Sequence, residues 1–154
     1  FDLGKFQLVH YTRNPNRYVP APLVTPAHTI QALESATYLG LIMDRALRWK
    51  EQVQRAVGKG TKAIMAINRL TRPTFGLPHK FVRQLYRSVV ILKMEYGLCV
   101  WYSPIVSNGT KRRKGSVGFL TQLGKVQNIA CRLITGAFKS TPVDALNYLA
   151  HIPP

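Results

Sequence analysis

The chain has 154 residues, one domain's worth of material, and a hydrophobic share of 46% that excludes disorder throughout. Its 22 Lys and Arg stand against 6 Asp and Glu, a net charge of +16 that calls for a polyanionic partner, with nucleic acid ahead of an anionic membrane surface. Two cysteines, Cys99 and Cys131, exclude a disulfide scaffold and fit a reducing intracellular compartment, nucleus or cytoplasm, and the longest apolar stretch, Ser88 to Tyr102, is broken by Lys93 and Glu95 and is too short to span a bilayer.

The first forty residues read as strands and turns. Lys5 to Thr12 alternates Phe6, Leu8 and His10 with Gln7, Val9 and Tyr11, the period of two of a strand. Arg13 to Pro26 carries four prolines and two asparagines, a loop with a short strand at Leu23 and Val24. Thr37 to Met43 is a continuous apolar run and predicts a buried strand, with Gly40 marking a bulge or a close approach.

After Asp44 the pattern turns helical. Over Trp49 to Arg72, an apolar arc of Trp49, Val53, Ala56, Val57, Ala63, Ile64, Ile67 and Leu70 opposes a cationic arc of Arg48, Arg55, Lys59, Lys62 and Arg69. Gly58 and Gly60 within it predict a bend or a close helix crossing, and Pro73 to Pro78 ends it. A second helix begins at Pro78, with Phe81, Val82, Leu85, Tyr86, Val89 and Leu92 inward and Lys80, Arg83 and Arg87 outward. Met94 to Pro104 reads as extended or irregular, and Ser107 to Gly118 as a basic linker with the run Lys111-Arg112-Arg113-Lys114. A third helix covers Phe119 to Thr135, with Leu123, Val126, Ile129, Ala130 and Leu133 inward, Lys125 and Arg132 outward and Gly136 as its C-cap. The last opens at Thr141-Pro142-Val143-Asp144, a start like a capping box, and ends near His151.

Enzymatic constellations are scarce. Two-metal phosphoryl transfer needs clustered carboxylates, yet Asp2, Glu34, Asp44, Glu51, Glu95 and Asp144 include no adjacent pair, although Asp44 and Glu51 could share a helix face. His10, His28, His79 and His151 are scattered, and Gly58 to Lys62 lacks the spacing of a phosphate loop. No metal site is expected within these residues. The positive signal is the repeated pairing of an apolar helix face with a cationic one, which suits a phosphate backbone through counterion release.

The order of segments resembles a known pattern. Lys5-Phe6-Gln7-Leu8-Val9-His10-Tyr11-Thr12-Arg13 looks like the strand after the catalytic Asp-Asp hairpin of non-LTR retrotransposon reverse transcriptases. Tyr38-Leu39-Gly40-Leu41-Ile42-Met43-Asp44, then Leu47 and Trp49-Lys50, is similar to that family's primer-grip region. Thr61-Lys62-Ala63, Gly76-Leu77-Pro78, Arg83-Gln84-Leu85-Tyr86, Tyr96-Gly97 and Val100-Trp101 resemble its thumb helices. Lys125-Val126-Gln127, Arg132 to Phe138, Thr141-Pro142, Ala145-Leu146 and Ile152-Pro153-Pro154 resemble the connection toward an RNase H domain. The departures are Gln52 where histidine is common, Leu41 for a usual valine, and the two glycines 58 and 60.

The resemblance implies an α+β chain, mostly α, in which short antiparallel palm strands precede a helical bundle. Residues 1–44 would end the palm, 45–106 form a thumb, 107–118 a basic linker and 119–154 the connection. It implies an RNA-directed DNA polymerase segment without the catalytic aspartates, starting just downstream of them, that grips RNA template and DNA primer. Magnesium is expected in an upstream active site, the remainder of a parent polyprotein is an expected partner, and no membrane is. Tyr38, Leu39 and Gly40 would position the primer end, and Lys5 is the one candidate for assisting catalysis. Arg48, Arg55, Lys59, Lys62, Arg69, Lys80, Arg83, Arg87, Lys111, Arg112, Arg113 and Lys114 would bind nucleic acid. The rival from the residues alone is a free-standing basic helical nucleic-acid-binding module.

Overall fold

A computed structural model of the chain describes residues 5–26, 28–71, 76–107 and 113–153. The fold is α+β and mostly helical, and the chain divides into two compact units, Phe1–Gln54 and Arg55–Pro154.

In the first unit the strands are short. β1 (Leu23–Val24) pairs antiparallel with β2 (Thr29–Ile30), and β3 (Ser35–Tyr38) with β4 (Leu41–Asp44). The run at Thr37 to Met43 is therefore a hairpin and not one buried strand. Tyr38 faces Leu41 across a two-residue turn in which Leu39 and Gly40 both have positive φ, 47° and 78°. That is the backbone of a primed hairpin turn, whose twist matches the strands it joins. Gly40 supplies the reversal and not a bulge.

Lys5 to Thr12 forms no ladder. A single parallel bridge links Leu8 to Ala32, the Leu33 N–H donates to the Leu8 carbonyl at 2.8 Å, and Gln7 serves a different purpose. Its Oε1 accepts the Thr37 N–H at 3.0 Å, while Gln52 Oε1, on the following helix, accepts the Ile42 N–H at 3.0 Å. Thr37 and Ile42 face each other in the hairpin, at a pair whose N–H groups point outward, so the two edges are capped at one level by glutamine amides. Gln52 is buried, which makes its hydrogen bond a condition of that burial.

α1 (Lys50–Asn68) starts after a tight approach. The Asp44 carboxylate accepts the Arg48 N–H at 2.9 Å and the Trp49 N–H at 2.7 Å, holding a loop in which Leu47 and Trp49 take positive φ. Asp44 thus ends a strand and shares no helix face with Glu51. The helix is unbroken through both glycines and stops short of Arg72, leaving Leu70 exposed.

In the second unit α1 contributes Ala63, Ile64 and Ile67 to the core. Gly60 is the close crossing: a Cβ there would lie 2.6 Å from Met94 and 3.2 Å from Val126, whereas one on Gly58 would meet nothing within 4 Å. The next helix is composite. α2 (His79–Leu85) passes into a π-helical segment (Tyr86–Ile91) and then α3 (Leu92–Met94), with right-handed helical dihedrals at both joints. Its buried residues are Val82, Tyr86, Val90 and Met94, at strict four-residue steps. In an α-helix each such step drifts by about 40° around the axis; the wider π turns, bonded i to i+5, absorb the drift. Leu92, predicted inward, is consequently 65% exposed; Phe81, also predicted inward, stands in the first turn of α2, ahead of the wide turns, and is 49% exposed.

Met94 to Pro104, predicted extended or irregular, is so from Tyr102 onward but not before it. Gly97, at φ 66°, turns the chain into the one-turn helix α4 (Leu98–Trp101), and Trp101 is buried with its Nε1–H donating to the Tyr96 carbonyl at 3.0 Å. β5 (Val106–Ser107) pairs with β6 (Arg113–Lys114). α5 (Val117–Thr135) ends at Gly136 in the left-handed region, as the sequence predicts. α6 (Val143–Ala150) has Pro142 as its N-cap and no side-chain capping bond, so the box-like start does not form.

Val126, Ala130, Cys131 and Ile134 of α5 are buried, while Ile129, predicted inward, is exposed. Gln127 Nε2 donates to Asn147 Oδ1 at 3.3 Å and to the Pro153 carbonyl at 2.8 Å, and the Cys131 thiol reaches the same Asn147 oxygen at 3.5 Å. These bonds tie α5 to α6 through buried polar groups. Two buried polar atoms, Tyr86 Oη and Arg132 Nε, have no partner among the described residues. Arg132, predicted outward, is half-buried and reaches the Lys139 carbonyl at 3.3 Å through Nη2.

Candidate nucleic-acid interface

The charge is not evenly shared. Of the 22 basic and 6 acidic residues, 16 and 2 fall in Arg55–Pro154, a balance of 16 − 2 = +14 for the helical unit. The first unit is close to neutral, and part of its charge is committed. Arg45 lies 4.1 Å over the Tyr18 ring and pairs with Glu34 at 3.1 Å.

The hairpin tip is the first candidate surface. Tyr38 is 66% and Leu39 74% exposed at the turn, and Gly40 is half-buried. Two large apolar side chains in water at a tight turn, one with a backbone conformation that a β-carbon disfavours, are costly to keep for stability alone. Lys5 is exposed, as is Arg48 ahead of α1.

The second surface lies in the helical unit. On α1, Lys59 and Lys62 are exposed and Arg55 is half-buried; Arg69, also exposed, follows the helix end. On the composite helix Lys80 and Arg87 are exposed and Arg83 is half-buried. None of these cations makes an ion pair among the described residues.

Two hollows run along this helix. One of about 410 Å³ is lined by His79, Lys80, Arg83, Thr135 and His151, among others; the next, of about 400 Å³, by Lys80, Arg83, Gln84, Arg87 and Ser88. The two adjoin at Lys80 and Arg83, and the cationic groove along Lys80, Arg83 and Arg87 has no carboxylate in its walls. The spacing from Lys80 to Arg87 is about 10 Å along the axis, the reach of roughly three successive phosphates of one duplex strand.

The basic run is only partly in view. Arg113 and Lys114 pair with β5, while Lys111 and Arg112 lie outside the described residues. No three His, Cys, Asp or Glu side chains that could hold a metal ion come together among the described residues. No described helix is long and apolar enough to cross a membrane. Thiol and phenol chemistry is also muted in the core: burial pushes the Cys131 thiol up, against a smaller opposing pull from Arg132, and burial pushes the Tyr86 hydroxyl up further, aided by Cys131 and Glu95.

Sequence reasoning missed His79, Lys93 and Tyr96 as surface groups that line hollows on this helix. Lys93 lies in α3 and Tyr96 in the turn that follows it; reading Met94 to Pro104 as extended or irregular left the position of the Tyr96 ring open. Fold and surfaces together define a class, an α+β chain with a strongly basic helical unit. No family model matches the chain, no curated protein matches it, and no solved structure matches it.

Proposed function

We propose that the chain is the template–primer-gripping part of a reverse transcriptase of the non-LTR retrotransposon type. In this reading the catalytic aspartates and their magnesium lie outside this chain. The observation that carries the gripping role is the carboxylate-free groove of Lys80, Arg83 and Arg87 on a continuous helix. The polymerase reading rests on the serial resemblance centred on Tyr38-Leu39-Gly40, and an exposed apolar hairpin tip is compatible with contact to a strand end. The groove's cations would neutralise phosphates of the duplex, while Tyr38 and Leu39 would pack against the terminal nucleotide. Lys5 has no assigned step in this scheme.

Binding of the whole chain to a recessed-end RNA–DNA duplex, a blunt duplex and single strands tests the proposal. The expected result is preference for the recessed end, loss of that preference in Leu39→Asp, and no primer extension with magnesium. Equal affinity for recessed and blunt ends would favour the free-standing basic module, which draws its support from the same groove. Magnesium-dependent extension by this chain alone would sink the assignment of catalysis to residues outside it.

A further inference from the structure

The cationic groove does not end at Arg87. Ser88 lines both that groove and a third hollow, of about 330 Å³, whose other walls are Lys59, Val89, Leu92, Lys93 and Tyr96. Its composition differs from the first two. It joins an aromatic ring and two aliphatic side chains to two lysines, and Glu95, the neighbouring acid, is not in its walls.

Tyr96 is 51% exposed, yet its backbone is anchored: its carbonyl accepts the indole N–H of the buried Trp101, and Gly97 turns the chain sharply behind it. The Lys59 ammonium stands 5.9 Å from the ring centroid, at the outer limit of a cation–π contact. An exposed ring held by a rigid turn, flanked by apolar side chains and cations, is the composition of a stacking platform for a nucleic-acid base. Every base has a π face, so such a platform reads no sequence. It does require that the base be unpaired.

We propose that the Lys59–Lys93–Tyr96 cleft is a subsite for one unpaired nucleotide of a single-stranded nucleic acid: the base stacks on Tyr96 and the lysines hold its flanking phosphates. The proposal rests on the groove binding nucleic acid, since the strand enters from the Lys80–Arg83–Arg87 side through Ser88. A duplex engages the groove alone; a single-stranded overhang continues into the cleft.

The test uses the whole chain and a short single-stranded oligonucleotide carrying 2-aminopurine, whose fluorescence is quenched on stacking, beside a blunt duplex. Wild type should quench the probe. Tyr96→Ala should abolish quenching and weaken single-strand binding about 5- to 100-fold, with duplex binding unchanged, and Tyr96→Phe should restore both. Should the alanine variant lose its fold, Tyr96→Leu, apolar but without a ring, carries the same expectation. Undiminished quenching in Tyr96→Ala overturns the subsite while the groove reading stands. Equal weakening of single-strand and duplex binding shows Tyr96 acting through the fold and also overturns it. Failure of wild type to bind either probe removes the groove reading and the subsite with it.

Discussion

Tyr86 shows how much one atom can matter in this core. Its ring is almost wholly buried and its hydroxyl has no partner among the described residues. An unsatisfied buried hydroxyl costs about 1–3 kcal/mol, so Tyr86→Phe should raise unfolding stability by about 1 kcal/mol, measured by urea titration. The pH dependence follows from the raised phenol and thiol. Below their ordinary values of 10.0 and 9.0, both groups are protonated in either state and add no pH dependence. Above those values the unfolded chain releases protons that the folded chain retains, so stability falls as pH rises. Tyr86→Phe should reduce that decline above pH 10, and an unchanged alkaline limb would show that another group controls it. Gly58 and Gly60 differ in sign for an equally local reason. Gly58→Ala should stabilise by about 1 kcal/mol, because only helix propensity changes. Gly60→Ala should destabilise by about 1–3 kcal/mol, because its Cβ would overlap Met94 and press on Val126.

At the level of elements, the hairpin and the composite helix each depart from the simplest reading of their sequences. Tyr38 to Met43 lacks the Asn-Gly signal of a primed turn, so an apolar run concealed a hairpin whose Leu39 carries a positive φ. Leu39→Asn should therefore stabilise the chain by about 1 kcal/mol, seen as a higher urea midpoint, while weakening recessed-end binding. A gain in stability with no change in binding would leave the exposed leucine without a functional reason. The composite helix was legible as a helix from Phe81, Val82, Leu85 and Tyr86. Its inward face beyond Tyr86 was not, because the period that predicts Val89 and Leu92 is the α period and the local winding is π. Without that widening Met94 would rotate away from Gly60, which it meets across the helix crossing. Lys80, Arg83 and Arg87, lying mostly before the wide turns, were readable as one face.

For the molecule as a whole, the concentration of charge in Arg55–Pro154 sets the expected salt response. Replacing Lys80, Arg83 and Arg87 together by glutamine should reduce the slope of log affinity against log salt by about 2–3 if each meets a duplex phosphate. An unchanged slope, read from the same duplex titrations at several salt concentrations, would place the phosphates elsewhere, on Lys62 and Arg69 or on the basic run.

The sequence alone determined the α+β class, the extent of most helices, the short strand at Leu23 and Val24, the Gly136 cap and the cationic character of the surface. These follow from periodicity, propensity and formal charge, which are local quantities. The capping of the hairpin by Gln7 and Gln52, the fit of Gly60 to Met94, the orphaned Tyr86 hydroxyl and the meeting of Lys59 with Tyr96 belong to the tertiary structure. All but the orphaned hydroxyl join groups about ten or more residues apart, and no local pattern carries the distance between them; the hydroxyl lacks a partner only because of what packs around it. The cationic helix faces were therefore visible from the start, but the first hollow along the composite helix took shape only when α5 and α6 packed beside it, and the cleft at Tyr96 only when α1 brought Lys59 to the ring.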